Sequence, residues 1–433
     1  MQEQIKIKVW KTEQLPVDWH KRQKADPKAA QQLEEDVKAI VSQVKENGDK
    51  ALIEFAQKFD KATLTFKTLK VRSEEFKDAY TKTSREQMSA LQFLKAKVSN
   101  FQKQLLAQTE IKSVDEGIYV QTNLRPIESI GCYVPGGQAA YPSTLVMTVV
   151  PAKIAGVKRI VVCSPSDDRG RVNPLVLVAA DICGVDEVYK VGGAQAIAAL
   201  AYGTKGIKPV KKIVGPGSKY VTAAKVLVST DVAIDMPAGP SEVLVLADES
   251  ADARFIAYDM VSQAEHGGDS IAGLITTSEI VAQKVQENLT TIAASAQRSE
   301  KITESLTKYG FIIVCKSMAE AADLVNQFAP EHLEVMTAKP KEIAEKLTAG
   351  LILLGPYSPV ALSDYGSGTN HVLPTGGFAQ SFSGLSVFDF MRRVSIVESS
   401  RTSLERVRDT LKVLAESENL PNHSKAIQAR FER

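Results

Sequence analysis

The sequence predicts an α/β protein with two parallel sheets, because short apolar segments alternate with helical segments in two successive series. The helices of the first series begin near Asn173, Ala194 and Ser218. Strands separated by helices pair in parallel and are covered on both faces. The expected strands lie at 160–163, 188–191 and 212–214 in the first series, and at 243–247, 271–276, 310–315, 333–337 and 351–354 in the second. We therefore expect two Rossmann-like parallel-sheet domains.

An amphipathic helix is predicted ahead of the first series. Asp26 is a typical N-cap residue, and Pro27 suits the first helical position, where an amide has no intrahelical partner. Asn47 and Gly48 mark the end of the helix. One face carries the apolar residues Leu33, Val37, Ile40, Val41 and Val44. We expect a surface helix that packs through this face.

The length of the chain predicts two or three domains, because 433 residues exceed what one core usually organises. The segment 392–433 is basic and poor in apolar residues, which predicts helices that pack against another part of the molecule or a partner. The expected division is an N-terminal segment 1–27, a discontinuous α/β domain of 28–132 and 243–386, an inserted α/β domain 133–242 and a helical tail 387–433.

The composition indicates a cytoplasmic globular protein. A formal net charge of +2 gives no field that would gather a polyanion, which argues against nucleic acid as a partner. The first residues lack a signal-peptide pattern and no apolar run reaches the roughly 18 residues that cross a bilayer, so no membrane association is expected. The cysteines are widely spaced and form no C-x-x-C pair, as is typical of small buried hydrophobes: Cys132, Cys163, Cys183 and Cys315.

Four polar segments hold four of the five histidines, each beside carboxylates, glycines or prolines. The segments are 263–269, 329–334, 361–371 and 420–423. The segment 361–371 consists largely of small, turn-forming residues that cannot build a core, so it is suited to presenting Asp364 and His371. This distribution predicts a metal or proton-transfer site assembled from distant parts of the chain.

Three glycine-rich segments follow strands of the first series, at 131–137, 191–195 and 214–218. Glycine lets backbone amides approach a ligand closely, and a helix N-terminus favours an anion, so these turns suit the phosphates or ribose of a dinucleotide. The alternative is that the glycines only relieve crowding between strand and helix. No G-x-G-x-x-G pattern follows the first strand, so the spacing does not decide between the two interpretations.

A mixed set of nitrogen and oxygen donors is predicted to bind a metal. Gln263 and His266 are three residues apart at a helix end, and therefore lie on one face. Asp364 and His423 would complete a set that suits zinc better than calcium or magnesium. The alternative is structural, since a histidine often closes a helix and an aspartate often stabilises a turn.

Glu331 and His332 are the candidate acid and base. Imidazole titrates near neutrality, and a neighbouring carboxylate holds or perturbs it. Pro330 stiffens the backbone before them. Alternatively, His332 only begins a strand and Glu331 is a solvated turn residue, because adjacent residues of a regular strand point to opposite faces. Joint action on one substrate requires an irregular backbone at this point.

Several long segments together resemble histidinol dehydrogenases, and the similarity runs in order from about residue 28 to the C-terminus without a large gap. The segments that carry it are 191–200, 234–242, 263–267, 330–334 and 364–371. The resemblance implies oxidation of L-histidinol to L-histidine through the aldehyde, as the last step of histidine biosynthesis. It further implies two NAD per substrate, one zinc ion and a homodimer with shared active sites.

The resemblance also implies residue roles. Gln263, His266, Asp364 and His423 correspond to zinc ligands that also face substrate, and Glu331 and His332 correspond to the catalytic pair, with His332 again at the substrate. Further substrate contacts would come from Ser241, His371 and Glu418, and NAD contacts from Tyr133, Gln195 and Ser218. Ser218 departs from the family, which usually has asparagine there, so its contact with NAD is in question.

Two other functions remain open at this point. A related NAD-dependent dehydrogenase could oxidise another small polar alcohol, such as a sulfonated diol. Glu418 argues against a sulfonate, which its carboxylate would repel, and favours a substrate ammonium. A zinc-binding dimeric module without catalysis would keep the metal ligands but would not need Glu331 and His332.

Overall fold

The computed structural model describes residues 5–22, 27–107, 111–136, 140–237 and 239–432. Asp26, Gly137 and Ala238 lie outside these ranges, and so do the expected N-cap and part of two motifs. The strands are β1 Lys8–Lys11, β2 Ile111–Asp115, β3 Ile118–Pro126, β4 Ser129–Tyr133, β5 Arg159–Ser164, β6 Glu187–Lys190, β7 Lys212–Val214, β8 Ala233–Ile234, β9 Glu242–Ala247, β10 Ile271–Thr276, β11 Phe311–Val314, β12 His332–Met336, β13 Leu351–Leu354 and β14 Met391–Ser399.

The helices alternate with these strands through most of the chain. They are α1 Pro27–Asn47, α2 Asp49–Phe55, α3 Ser73–Lys82, α4 Arg85–Leu106, α5 Pro142–Ala155, α6 Pro174–Cys183, α7 Gly193–Tyr202, α8 Lys219–Val228, α9 Ala253–Ala264, α10 Glu279–Ser295, α11 Ser299–Lys308, α12 Met318–Phe328, α13 Pro340–Ala344, α14 Val360–Tyr365, α15 Arg401–Ser417 and α16 Pro421–Gln428. None of those in the described ranges is long and apolar enough to cross a membrane.

Two parallel sheets organise the molecule, as the sequence predicts. The five-stranded sheet has the order β6-β5-β4-β7-β8, and the six-stranded sheet has the order β1-β11-β10-β9-β12-β13. Every pairing in both sheets is parallel. Strands β9, β10 and β12 are buried along their whole length, which explains their nearly continuous apolar sequences. The expected α/β fold is confirmed.

The opening helix begins at Pro27 and ends at Asn47, as predicted. Val37, Val41 and Val44 are buried, and Leu33 and Ile40 pack beside them. This face lies on α7 and α8, and α3 and α4 pack on α6 and α5. These helices pack on the helices of the five-stranded sheet, whereas the expected division groups 28–132 with 243–386. An amphipathic pattern identifies a buried face but does not say which sheet buries it.

The chain termini also depart from the expected division. Strand β1 lies within the expected segment 1–27 but pairs with β11 at the edge of the six-stranded sheet. The tail expected to be helical from 387 instead contains β14, which pairs antiparallel with β3 from Met391 beside Pro126 to Ser399 beside Ile118. Strand β14 is largely exposed on both faces, so its sequence lacks an alternating apolar pattern. The remainder of the tail forms α15 and α16, which confirms the helical C-terminal end.

Candidate active site

The candidate site lies where the two sheets meet. Strand β8 ends at Ile234 and β9 begins at Glu242, so the carboxyl edge of one sheet is joined by a short segment to the amino edge of the other. The loop after α14 bridges the same junction: the Asn370 side-chain amide donates to the carbonyl of Met147 at 2.7 Å, and Thr144 lies 3.3 Å from the imidazole of His371. Met147 and Thr144 belong to α5, so residues of both units surround the junction.

Glu331 and His332 lie at the amino edge of the six-stranded sheet. His332 is the first residue of β12, where it pairs with Val243 and Leu351, and Glu331 precedes the strand. Glu331 and His332 are only 7% and 4% exposed, and Glu331 Oε2 lies 3.6 Å from His332 Nδ1. The alternative of a solvated Glu331 is therefore wrong. Because Glu331 lies outside the regular strand, both side chains reach the same region.

The backbone before this pair turns sharply. Helix α12 ends at Phe328, and Ala329 adopts a left-handed conformation with φ of 46°. A left-handed conformation costs an ordinary L-residue about 1–2 kcal/mol, and such strain persists where the surrounding structure enforces it. The turn at Ala329 and Pro330 delivers the chain to the start of β12 with Glu331 directed inward.

Glu242 holds both members of the pair through its backbone. Its amide donates to Glu331 Oε2 at 2.8 Å, and its carbonyl oxygen lies 3.2 Å from His332 Nδ1. A carbonyl can only accept, so His332 Nδ1 carries the hydrogen and Nε2 of the neutral ring carries the free electron pair. Nε2 is buried and has no hydrogen-bond partner within the described ranges. His332 is therefore prepared to accept a proton at Nε2.

The buried imidazole of His332 and the partly buried imidazole of His371 have pKa values shifted in opposite directions. Burial lowers the pKa of His332, but Glu331, Asp364 and the Glu242 carbonyl raise it, and the net pKa lies above its ordinary value. Burial also lowers the pKa of His371, where His332 and His266 add to the lowering while Asp364 and Glu331 oppose it, and the net pKa lies below its ordinary value. The raised pKa makes His332 a stronger base than an ordinary imidazole, and the lowered pKa makes His371 a weaker one, which separates their proton-transfer roles.

The expected metal ligands are brought together only in part. Gln263 is buried near the end of α9, and the amide of His266 donates to its carbonyl at 3.3 Å. His266 lines a cavity of about 700 Å³ together with Tyr365, the neighbour of Asp364 on α14. Asp364 Oδ1 lies 3.6 Å from Nδ1 of His371. The amide, imidazole and carboxylate donors of these expected ligands fit zinc chemically.

The fourth expected ligand, His423, lies on the C-terminal tail. His423 and Glu418 are exposed on the tail, at α16 and at the end of α15. Across the described ranges, no three His, Cys, Asp or Glu residues are grouped so that they could hold a metal ion. Within the described ranges, the chain therefore brings His266 near the helix that carries Asp364 but does not assemble a complete metal site.

The residues expected to contact NAD lie at the carboxyl edge of the five-stranded sheet. Tyr133 ends β4, is buried, and accepts a hydrogen bond at its hydroxyl from the amide of Gly193 at 3.1 Å. Gln195 is buried in the first turn of α7, and Ser218 is exposed immediately before α8. After β4 the chain forms β5 and β6 on one side of it and then returns to form β7 and β8 on the other side. This reversal of strand order makes a topological switch point at the carboxyl edge, where α/β folds bind ligands.

The glycines at this edge are needed for close backbone approach. Gly215 has φ of 114°, and a Cβ there would lie 2.2 Å from the Tyr133 carbonyl oxygen. A Cβ on Gly192 would lie 2.7 Å from Pro165, so the crowding interpretation also holds at that position. The first glycine segment is not a tight turn, since α5 begins only at Pro142. Beside it lies a cavity of about 630 Å³ lined by Pro135, Gly136 and residues 164–167.

Sequence reasoning did not single out Glu242, Arg22 and Glu334 as functional. Glu242 and Glu334 are each 1% exposed within strands that are buried along their whole length and mostly apolar. A charged residue in a wholly buried strand is rare, and this was a readable signal that each has specific partners. Arg22 offered no comparable pattern. Ser241, an expected substrate contact, lies directly before Glu242 and its carbonyl accepts from the amide of Ile271 at 2.9 Å.

Comparison with known proteins agrees with these features. The family model for histidinol dehydrogenase matches residues 22–431. The chain belongs to the histidinol dehydrogenase family. The resemblance inferred from the motifs is confirmed.

Individual family members match nearly the whole chain. The histidinol dehydrogenase of Clostridium acetobutylicum is 46% identical over 396 residues, which are 91% of each protein. That of Methanothermobacter thermautotrophicus is 44% identical over 393 residues, 90% of this chain and 92% of that protein. The crystal structure of histidinol dehydrogenase from Elizabethkingia anophelis has a TM-score of 0.92 at 36% identity and covers 99% of both chains.

Proposed function

We propose that this protein oxidises L-histidinol to L-histidine through the aldehyde, with two NAD and one zinc ion, as the last step of histidine biosynthesis. The observation that carries the proposal is the buried Glu331–His332 pair, with His332 Nε2 free to accept a proton, in a chain of this family. The family members named above bear the name of this activity, which supports the same substrate here. A net charge of +2 fits a cytoplasmic enzyme without nucleic-acid or membrane partners.

His332 would act as the base in both oxidations. Its Nδ1 is oriented by the Glu242 carbonyl, so Nε2 takes the proton of the substrate hydroxyl as hydride leaves the adjacent carbon. NAD supplies the hydride acceptor in each oxidation. Two electrons leave the alcohol to give the aldehyde, and two more leave its hydrate to give the carboxylate. Each step removes a hydroxyl proton, so His332 serves twice and releases the first proton to solvent before it accepts the second.

Glu331 would activate the water that hydrates the aldehyde. Its Oε2 accepts from the Glu242 amide, which leaves Oε1 to accept a proton from water. Burial of Glu331 excludes bulk water and keeps the aldehyde at the site between the oxidations. His371, held beside Asp364 with 3.6 Å between Nδ1 and Oδ1, would contact the substrate as a neutral group.

Gln263, His266, Asp364 and His423 would hold zinc. When bound, zinc supplies positive charge that positions the amine and imidazole nitrogens of the substrate. The donor types support this assignment, since two imidazoles, one carboxylate and one amide suit zinc and leave room for substrate nitrogens. Tyr133, Gln195 and Ser218 would shape the NAD site, with the Gly215 turn permitting close approach of the cofactor.

We further propose a homodimer in which the tail completes the partner's site. His423 and Glu418 are exposed here, although their proposed roles require contact with metal and substrate. Exposed apolar residues lie on α15 and directly before α16 and favour burial against another chain: Val413, Leu414 and Leu420. The division into an NAD-binding unit and a unit that carries the catalytic and metal residues also stays a proposal.

An assay of purified protein with L-histidinol and NAD tests this function. We expect two NADH per histidinol consumed and L-histidine as the product. The His332→Ala variant serves as the control and should form no NADH. Oxidation of another polar alcohol with no turnover of histidinol would favour the related dehydrogenase. Zinc binding without any NAD reduction would favour a non-catalytic module.

A further inference from the structure

A buried ion pair lies directly behind the catalytic residues and belongs to none of the roles assigned above. Arg22 binds Glu242 with two parallel hydrogen bonds, from Nε to Oε1 and from Nη2 to Oε2, both 2.7 Å long. The side chains are 18% and 1% exposed. Such two-pronged pairing fixes the plane of a carboxylate as well as its charge.

Glu242 is also bonded to the segments around it. The amide of Gly376 donates to Oε1 at 3.0 Å and the amide of Glu331 donates to Oε2 at 3.3 Å. Glu242 in turn donates its own amide to Glu331 and offers its carbonyl to His332. Glu242 therefore contacts Glu331 through both its side chain and its backbone, and His332 through its backbone.

Arg22 reaches the turn that precedes the catalytic pair. Its Nη1 donates to the Phe328 carbonyl at 2.7 Å, and its Nη2 lies 3.5 Å from the Ala329 carbonyl. The guanidinium also lies over the Phe328 ring, 3.7 Å from its centroid, in a cation–π contact. Arg22 thus holds the left-handed residue Ala329 and the start of β9 at the same time.

We propose that Arg22 and Glu242 are a positioning pair, which fixes Glu331 and the Nδ1-protonated form of His332 for catalysis. Neither side chain would touch substrate. Without Arg22, the buried carboxylate of Glu242 would lose its paired cation and would repel the carboxylate of Glu331. Their separation would shift the Glu242 backbone and weaken its bond to His332 Nδ1.

This proposal rests on the proposed function for its kinetic test. Arg22→Ala is expected to lower kcat about a hundredfold, the cost of a misplacement near 1 Å, with KM for histidinol and NAD within threefold. Guanidinium chloride at low millimolar concentration should restore part of kcat by filling the space of the lost group. Arg22→Lys keeps the charge but loses the two-pronged geometry, and should fold and lose kcat less severely.

Arg159 offers a matched control on the other sheet. It donates to Glu187 at 2.6 Å and to the carbonyls of Lys208 and Pro209, with side-chain exposure of 22% for Arg159 and 18% for Glu187. Arg159→Ala removes a comparable ion pair far from the catalytic residues, and its kcat should stay within threefold. The proposal would be overturned if both Arg22→Ala and Arg22→Lys keep kcat within threefold of the unaltered protein, or if they change only KM.

A second readout separates this proposal from the function itself. Nitrogen-15 NMR of histidine-labelled protein reports which ring nitrogen carries hydrogen, and His332→Gln assigns the His332 signals among five histidines. We expect the Nδ1-protonated form in the unaltered protein and a mixture in the Arg22 variants. An unchanged tautomer in folded Arg22→Ala overturns the positioning role, whatever substrate the protein oxidises. Absence of histidinol turnover in the unaltered protein would refute the proposed function and leave the NMR test intact.

Discussion

Glu334 Oε1 accepts a hydrogen bond of 2.9 Å from the amide of Val360, so the strand that begins at His332 fixes the first residue of the helix that carries Asp364. This bond joins β12, the strand of His332, to α14, the helix of the proposed metal ligand Asp364. Neither His332 nor Asp364 takes part in the bond. Glu334 is almost fully buried, and Asp259 of α9, the helix that carries Gln263, adds to burial in raising its pKa. Three elements of the site therefore meet at one carboxyl pair.

Replacement of Glu334 tests its role in holding α14. Glu334→Ala leaves the Val360 amide without its acceptor and should lower the free energy of unfolding by about 2 kcal/mol. It should also weaken zinc binding about tenfold, because residues behind a metal ligand tune its orientation. Urea unfolding and zinc titration measure the two effects. Glu334→Gln retains an acceptor oxygen and is the matched control; equal losses in both variants would contradict this role for the hydrogen bond.

The carboxyl pair also predicts a pH dependence of stability. Burial raises the pKa of Asp259 to about 6, and burial together with Asp259 raises the pKa of Glu334 well above its usual range. A raised acid pKa means that the folded state binds more protons, so the contribution of Asp259 is fully present below its ordinary pKa. It declines as pH rises toward about 6 and is constant above that.

Asp259→Asn should remove this decline. The asparagine carbonyl can still accept a hydrogen bond from protonated Glu334, and no charge is buried. Since one pKa unit corresponds to about 1.4 kcal/mol and Asp259 is partly solvated, we expect the variant to be more stable at pH 7 by about 1 kcal/mol. Urea unfolding at pH 4 and pH 7 would show this gain only at the higher pH. If the variant and the unaltered protein differ in free energy of unfolding by the same amount at pH 4 and at pH 7, the pH dependence does not come from Asp259.

Much of the fold was predictable because parallel strands that are buried on both faces have nearly continuous apolar sequences. Strands β10 and β13 match their predicted bounds, and helix α1 begins at Pro27 as its capping pattern indicates. Strand β14 was missed because both of its faces are largely exposed, so its register comes from backbone pairing with β3. Placement of α1 on the five-stranded sheet was missed because one apolar stripe is compatible with either sheet.

The candidate site was predictable through its motifs but not through its supporting contacts. Glu331 and His332 are identified by residue type and by resemblance to the family, and their burial agrees with that role. The bonds that orient them come from the Glu242 backbone, which no side-chain pattern reveals. Arg22 is distant in sequence from all of them, and only the folded chain places it behind the pair.

Removal of metal should separate catalysis from folding. Extensive apolar cores cover both sheets, so stability does not depend on one ion. We expect chelator treatment to abolish NADH formation, circular dichroism to remain unchanged, and added zinc to restore turnover. Loss of the helical signal on chelation would mean that the metal is structural.

Hybrid dimers test whether the tail completes the partner's site. His332→Ala and His423→Ala should each be inactive, because each damages every site in its own dimer. After the two are unfolded and refolded together, half of the dimers should be mixed, and each mixed dimer has one site with both native residues. Activity should therefore recover to roughly a quarter of the unaltered value, as expected for random pairing in a symmetric dimer. Each variant refolded alone is the control; inactive mixtures that still contain dimers would exclude a shared site.

The two oxidations can be separated at Glu331. Glu331→Gln keeps the size of the side chain and an acceptor for the Glu242 amide but removes the base that activates water. We expect aldehyde oxidation to slow by about a hundredfold to ten-thousandfold, the usual contribution of one positioned base, while the first hydride transfer changes far less. His332→Asn is the matched comparison and should slow both steps, because each requires removal of a hydroxyl proton. Single-turnover NADH formation from histidinol and, separately, from the aldehyde measures the two rates. Equal slowing of both half-reactions in Glu331→Gln would mean that Glu331 does not act on water alone, and that its contact with His332, 3.6 Å away, matters to both oxidations.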